Sequence, residues 1–585
     1  MIRHSFPYAL AALLCSALVA SLSTMANAAA EPTSPIAPLE VVTPVQACAE
    51  LTSLDLTDIG GVGSQVVSAE ETTHDGTAVC EVAGSLAPSI GFRMVLPTGT
   101  WTQRYLQVGC GGLCGRISLD VGAAEACQPL ETGQFVVAST DMGHQGMDAT
   151  FGRDAQKRAD FAHRAVHLTR QASKKLIQAY YGRPEAFAYF TGCSDGGREA
   201  LMEAQRYPDD FDGIIAGAAA LNFQVQNALY HAWQARANQD ANGKAILTAA
   251  RLPLLHSTVM KQCDGLDGQV DGLITDPRAC SVDLQAVQCE ASQDSSACLT
   301  PAEVLAARRL YEGPRDLETG EHLTAGGPQP GSELAWAGVF VPMSADQPIF
   351  SERIALQALG NLNFEQAPPS DFTLNDLHFN QETFDRLVPR HSLFDATNPD
   401  LSRFEAAGGK LILWHGWADP HISPLNTLAY HEALVAHMGE ARAERFERLY
   451  LLPGVYHCSG GEGPSLMDLL TPLMGWAERG QAPDAIITTQ AGAETRRGQA
   501  FGAPTGEAPD GARSRPKPPQ RQALNADNKD NEGRARPLYP YPSIATYKGE
   551  GDPLRQENYE RGAPLTTDTV PHWRGADWFT PAVER

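Results

Sequence analysis

Short apolar runs set between turn residues fill the first third of the chain, and residues 92–96, 105–108 and 135–139 read as strands. Phe161, Ala165, Leu168, Ala172 and Leu176 then recur at three- and four-residue steps. That spacing puts them on one face and predicts a helix over residues 161–181, ended by Gly182-Arg183-Pro184. Residues 187–191 read as a buried strand, and residues 198–207 as a helix that stops before Pro208. Strand and helix alternation at this spacing predicts an α/β sheet. From about residue 221 to 400 the alternation gives way to helical stretches, cysteine loops and proline-containing irregular segments, which read as an insertion. Strands resume at 410–414 and 448–452. A helix over 466–479 follows, with Leu466, Leu469, Leu470 and Leu473 on one face. Pro472 falls inside it and predicts a kink or a shorter helix.

The ends of the chain differ from this pattern. Arg3 and His4 precede an apolar stretch of residues 8–22, and Ala26-Asn27-Ala28 forms a small-residue cleavage pattern. Residues 1–28 therefore read as a secretory signal, with cleavage after Ala30 as the other option, and the product as secreted or periplasmic. No second apolar run is long enough to span a membrane. Residues 31–44 are proline-rich and read as a poorly ordered arm. Residues 499–537 carry almost no large apolar side chains and read as a flexible loop.

Composition narrows the function class. The chain has 585 residues, 43% hydrophobic and 19% charged, with a formal net charge of −24. Those values fit a globular enzyme and argue against nucleic acid or an anionic membrane surface as partner.

The strongest chemical signal is Gly192-Cys193-Ser194-Asp195-Gly196 between a predicted strand and a predicted helix. Gly-x-Ser-x-Gly in that context is a nucleophile elbow, which pushes a serine hydroxyl out of a tight turn. A serine needs a base, and the base needs an orienting carboxylate, in the chain order Ser, acid, His. Asp419 lies just past the 410–414 strand and His457 just past the 448–452 strand, so both belong at the carboxyl edge of the sheet beside Ser194. His415 and His421 are rival bases that share the Asp419 loop. The oxyanion of acyl transfer needs backbone N–H donors. Asp195 is one candidate, and Gly112, in the Gly109–Gly115 run after an early strand, is the other.

An exported chain tends to pair its thiols. Spacing suggests Cys48 with Cys80, Cys263 with Cys280 and Cys289 with Cys298. Cys193 and Cys458 flank the candidate nucleophile and base, so contact between those two residues favours a bond between the cysteines. Cys110, Cys114 and Cys127 allow at most one pair, with a zinc site as the competing reading. Asp264, Asp267 and Asp271 lie within eight residues among glycines, a pattern that suits either Ca²⁺ or an acidic surface turn.

Taken together, several segments resemble the tannase and feruloyl esterase family of secreted α/β-hydrolases. They are Gly192-Cys193-Ser194-Asp195-Gly196-Gly197-Arg198-Glu199, Tyr207-Pro208-Asp209-Asp210-Phe211-Asp212-Gly213-Ile214, residues 263–274, Tyr456-His457-Cys458-Ser459-Gly460-Gly461 and Arg536-Pro537-Leu538-Tyr539-Pro540-Tyr541-Pro542. The resemblance implies an α/β-hydrolase sheet from residues 29–220 and 401–585 and a lid domain over 221–400. It implies Ser194, Asp419 and His457 as triad, Gly112 and Asp195 as oxyanion donors, and a Cys193–Cys458 disulfide. It also implies structural Ca²⁺ on Asp264, Asp267 and Asp271 with the carbonyls of Gln269 and Leu273. The substrate implied is a small ester of an aromatic acid, such as a gallate or ferulate, with a mono(2-hydroxyethyl) terephthalate-type substrate as alternative. Tyr539 stands where many relatives carry a cysteine. A non-catalytic binding protein and a secreted peptidase on the same fold are the remaining readings.

Overall fold

A computed structural model describes residues 1, 35–124, 126–291, 293–490 and 533–581. The proposed signal, apart from Met1, and residues 499–532 of the proposed loop lie outside them.

Nine strands form one mixed sheet: β1 (Gln65–His74), β2 (Thr77–Leu86), β3 (Ile90–Pro97), β4 (Arg104–Val108), β5 (Phe135–Thr140), β6 (Phe187–Cys193), β7 (Gly213–Gly217), β8 (Lys410–Gly416) and β9 (Glu447–Leu452). Their order is β1-β2-β3-β5-β4-β6-β7-β8-β9. The first four in that order pair antiparallel, and β5 through β9 pair parallel. Parallel strands are covered on both faces and so read as unbroken apolar runs. All of β4, β5 and β7 is buried, which is why β4 and β5 were easy to read, while the short β7, bounded by glycines, was not read as a strand.

The edge strand β1 carries no such signal. β1 is largely exposed along its length, so its Glu and Thr residues meet solvent. A turn at Asp75-Gly76, both with positive φ, joins it to β2, the geometry favoured in two-residue hairpins.

Phe161, Ala165, Leu168, Ala172 and Leu176 are buried as expected. Their helix runs Ala165–Tyr181 and is preceded by one wider turn, Asp160–Arg164. The helix after the elbow begins earlier than expected and spans Asp195–Arg206. No strand of the main sheet occurs between β7 and β8 among the described residues. Helices Leu252–Cys263, Pro301–Glu312 and Phe350–Ala358 occupy that insertion, stapled by Cys263–Cys280 and Cys289–Cys298.

Three expectations need correction. The helix predicted over 466–479 spans Leu470–Arg479. Pro472 therefore sits in its first turn, where a missing N–H costs nothing, while Leu466 is exposed and bridges to Thr489. Residues 535–537 are not loop: Ala535–Leu538 pairs antiparallel with Ile486–Thr489. Residues 35–44 are a docked segment instead of a loose arm. The Ala37 N–H donates to Glu478 at 2.8 Å, Arg104 donates to the Ala37 carbonyl at 2.8 Å, and the Val42 N–H donates to the Trp101 carbonyl. Arg104 and Glu478 are themselves a buried pair at 2.7 Å.

Five disulfides form among the described residues: Cys48–Cys80, Cys110–Cys114, Cys193–Cys458, Cys263–Cys280 and Cys289–Cys298. Cys127 is buried with a free thiol, so the cysteine cluster closes as a disulfide and not around zinc. Among the described residues no helix is long and apolar enough to cross a membrane.

Candidate active site

β6 ends at Cys193, and the chain reverses at once into the helix Asp195–Arg206. Ser194 occupies the corner with φ 67° and ψ −120°, a conformation that non-glycine residues adopt only when the surroundings enforce it. Its N–H is held by the Gly217 carbonyl at 3.0 Å. The corner closes because Gly192 has no side chain: a Cβ there would stand 2.3 Å from the Gly196 carbonyl oxygen. The hydroxyl is thereby presented beyond the carboxyl edge of the sheet.

The loops after β8 and β9 meet it there. Ser194 Oγ lies 2.9 Å from His457 Nε2, and His457 Nδ1 lies 2.6 Å from Asp419 Oδ2. The two loops are laced together by backbone bonds, Trp417 N–H to the Leu452 carbonyl and Ala418 N–H to the Val455 carbonyl. Cys193–Cys458 joins the Ser194 corner to the His457 loop across 265 positions.

Asp419 is fully buried and fully satisfied. Oδ1 accepts the N–H groups of His421 at 2.8 Å and Ile422 at 3.0 Å. Oδ2 accepts from His457 and from His415 Nε2, the latter at 3.0 Å. Burial opposes ionisation of Asp419, but the His457 charge and the two imidazole hydrogen bonds outweigh it and hold the carboxyl far below its usual range. His415 is thus no rival base. Its Nε2 faces only acceptors, Asp419 Oδ2 and the Ile422 carbonyl, so it carries the hydrogen there, and Thr427 holds its Nδ1 at 2.8 Å. The signal for this support was a histidine four residues before the aspartate at a strand end.

The insertion also reaches this site. Tyr230 donates to the Pro420 carbonyl at 2.9 Å, and Gln226 donates to the His421 carbonyl. The His421 ring is 4.9 Å from the His457 ring, and the half-buried Phe350 meets His421 edge-on at 4.8 Å. His231 joins the same cluster. Burial, with His421 and His457 nearby, pushes its pKa well down, so it stays neutral. Neither His231 nor Phe350 stood out in the sequence, because the insertion lacks a periodic pattern, and His421 was read there only as a rival base.

The two oxyanion candidates sit on adjoining pieces of backbone. Asp195 opens the helix, where first-turn N–H groups lack intrahelical acceptors. Its carboxylate is taken up by Arg198 at 2.7 and 3.0 Å. Gly112, with φ 67°, belongs to the loop that Cys110–Cys114 closes.

The Asp264–Leu273 loop ends against the loop after β9, where a Cβ on Gly454 would stand 2.6 Å from Leu273 Cδ2. Asp264, Asp267, Asp271 and the carbonyls of Gln269 and Leu273 offer oxygen donors only, which is the chemistry of a hard divalent cation. Asp264 accepts N–H bonds from Asp271 and Gly272, Asp267 accepts from Gln269, and Asp271 pairs with Arg536. The three carboxylates are not gathered within 4.8 Å of one another. The donor set fits Ca²⁺, in competition with Arg536 for Asp271.

Comparison with known proteins gives a consistent picture. The tannase and feruloyl esterase profile matches residues 74–561. An uncharacterised esterase of Xanthomonas campestris is 31% identical over 569 residues, covering 88% of this chain and 90% of the relative. Mono(2-hydroxyethyl) terephthalate hydrolase of Piscinibacter sakaiensis is 31% identical, covering 83% and 85%. A probable feruloyl esterase B-2 of Aspergillus flavus is 33% identical, covering 67% and 75%. Feruloyl esterase B from Aspergillus oryzae superposes with a TM-score of 0.71 at 24% identity, covering 88% of this chain and all of that one. The fold is therefore that of the α/β-hydrolases.

Proposed function

The chain belongs to the tannase and feruloyl esterase family of carboxylic ester hydrolases, and from that premise we propose an exported serine esterase that cleaves small esters of aromatic acids through an acyl-enzyme. The observation that carries the reading is the continuous hydrogen-bonded path from Ser194 through His457 to Asp419. His457 Nε2 takes the Ser194 proton as Oγ bonds to the ester carbonyl carbon. The resulting oxyanion is received by the N–H groups of Asp195 and Gly112. Collapse of this intermediate breaks the bond to the alkoxy oxygen, which leaves as an alcohol with the proton from His457. Water, deprotonated by the same nitrogen, then releases the acid and restores Ser194. Asp419 keeps the Nδ1 hydrogen in place and stabilises the imidazolium.

The ring cluster of His421, Phe350 and His231 beside the base supports a planar acyl group, and five disulfides support export. Similarity to the terephthalate half-ester hydrolase across most of the chain puts that ester among the candidates. A panel of propyl gallate, methyl ferulate, mono(2-hydroxyethyl) terephthalate, an aliphatic ester and a peptide amide tests the reading. At least one aromatic ester is expected to exceed the aliphatic one in kcat/KM by about tenfold or more. Equal rates on the aliphatic ester, or a preference for the peptide, would reject it.

The acidic loop would hold Ca²⁺ through Asp264, Asp267, Asp271 and the carbonyls of Gln269 and Leu273. The ion would neutralise the loop and supply no step of the reaction. A chelator is expected to lower Tm by about 4 °C or more, and added Ca²⁺ to restore it. An unchanged Tm contradicts this assignment.

A further inference from the structure

The Gly109–Gly115 loop is held on one side by bonds to its carbonyls and N–H groups. His144 Nε2 donates to the Leu113 carbonyl at 2.7 Å, Gly146 N–H to the Gly115 carbonyl at 2.9 Å, and Gly115 N–H to the Asp141 carbonyl at 3.2 Å. On the other side the loop lies against the helix that follows Ser194, and Glu199 reaches it from there. Glu199 Oε1 accepts the Cys110 N–H at 3.4 Å and lies 2.8 Å from Cys110 Sγ and 3.4 Å from Cys114 Sγ. The approach is close enough to require a glycine: a Cβ on Gly109 would stand 2.9 Å from Glu199 Oε2 and 2.8 Å from Gly196 Cα. Glu199 is 1% exposed, and its carboxyl lies within side-chain hydrogen-bond reach of Asp195.

Charge accounting fixes the state of this carboxyl. The neighbouring cation, Arg198, directs Nε and Nη2 at the two oxygens of Asp195 and gives its remaining contacts to the carbonyls of Ala162 and Phe161. Disulfide sulfurs have no hydrogen to donate. An ionised Glu199 would be a second negative charge beside Asp195 in a dry space with one N–H for company, which is strongly unfavourable. Burial first, and the Asp195 charge second, push the Glu199 pKa well above the carboxylate range. Glu199 is therefore a neutral acid at neutral pH.

We infer that Glu199 is a positioning residue for ester hydrolysis: its carboxylic acid is the floor on which the Cys110–Cys114 loop is seated, and it fixes where that loop's N–H groups stand relative to Ser194. The inference rests on Ser194 being the nucleophile and on this loop supplying an oxyanion donor. Glu199 itself touches neither substrate nor Ser194. Its effect is transmitted through the backbone of residues 109–112, so it should be felt where charge develops and not where substrate first binds.

Glu199→Gln keeps the shape, the neutrality and an acceptor for the Cys110 N–H. Glu199→Leu keeps bulk without the acceptor, and Glu199→Ala removes the floor. With an aromatic ester, Gln is expected to hold kcat within about threefold, while Leu and Ala lower kcat by about a hundredfold with KM changed by less than about threefold. The rate of Ser194 phosphonylation by a fluorophosphonate should fall in parallel, since that reaction also builds charge on an oxygen. Tm and circular dichroism identify folded variants, and any one of Leu or Ala that folds suffices beside Gln. Wild-type kcat in the folded Leu or Ala variant overturns the inference. So does a Gln variant as slow as Ala, or a loss confined to KM. If wild-type protein is not labelled at Ser194, the underlying reading has failed. If it is labelled and Ala is labelled equally fast, only the role of Glu199 has failed.

Discussion

Ser194→Ala is expected to lower kcat/KM toward an aromatic ester by at least about four orders of magnitude while moving Tm by only a few degrees. The side-chain hydroxyl contacts His457 Nε2, and its removal leaves the disulfide, the corner and the Asp419 network intact. Alanine accepts the same positive φ as serine, so the strained corner is not altered. The residual rate should come from binding and the oxyanion donors alone, and it should show no burst phase. Steady-state kinetics together with thermal melting check this. Retention of more than about 1% of wild-type activity, measured on protein free of wild-type contamination, would remove Ser194 from the covalent role.

Asp419→Asn is expected to lower kcat by about 10⁴-fold. The reason lies in its four donors. Oδ1 must continue to accept the N–H groups of His421 and Ile422, so the new NH₂ takes the place of Oδ2. It then points two hydrogens at nitrogens that previously donated, His457 Nδ1 and His415 Nε2. His457 can answer by moving its hydrogen to Nε2, but that nitrogen then no longer accepts the Ser194 proton. His415 can answer through Thr427, whose hydroxyl can reverse its bond to Nδ1. Stability should fall as well, by about 1–3 kcal/mol, because charge-assisted bonds in a buried site are replaced by neutral ones. Kinetics measured well below the melting transition separate the two effects. A variant with near-wild-type kcat would show that the imidazole is oriented by other groups.

Positions on β6, β8 and β9 were legible because parallel strands announce themselves as apolar runs and because active groups gather where such strands end. Ser194, Asp419 and His457 each follow one of those runs by a few residues, and the structure brings them into hydrogen-bond contact. Four cysteine pairs were legible because partners lie either close in sequence or beside residues that must meet, while the choice of Cys110–Cys114 over Cys127 was left open and came only from the structure. The docking of residues 35–44 was not legible. It depends on Glu478, 441 positions away from Ala37, and no local pattern encodes such a contact. β1 was missed because an edge strand exposes most of its side chains, so its composition resembles a loop. His415 was read as a competitor for the wrong reason. Sequence shows that a histidine stands near the aspartate, but only the geometry shows that Nε2 faces acceptors. The Phe350, His421 and His231 cluster comes from separate parts of the chain, and the buried acid at Glu199 becomes meaningful only once Arg198 is seen to be committed to Asp195.

The most direct test is the intact mass of the wild-type protein after reaction with a fluorophosphonate, followed by peptide mapping. One phosphonyl group per chain, carried by the peptide containing Ser194 and lost when Asp419 or His457 is replaced, is the predicted result. An unmodified chain, or a label on any other residue with Ser194 untouched, would contradict the account.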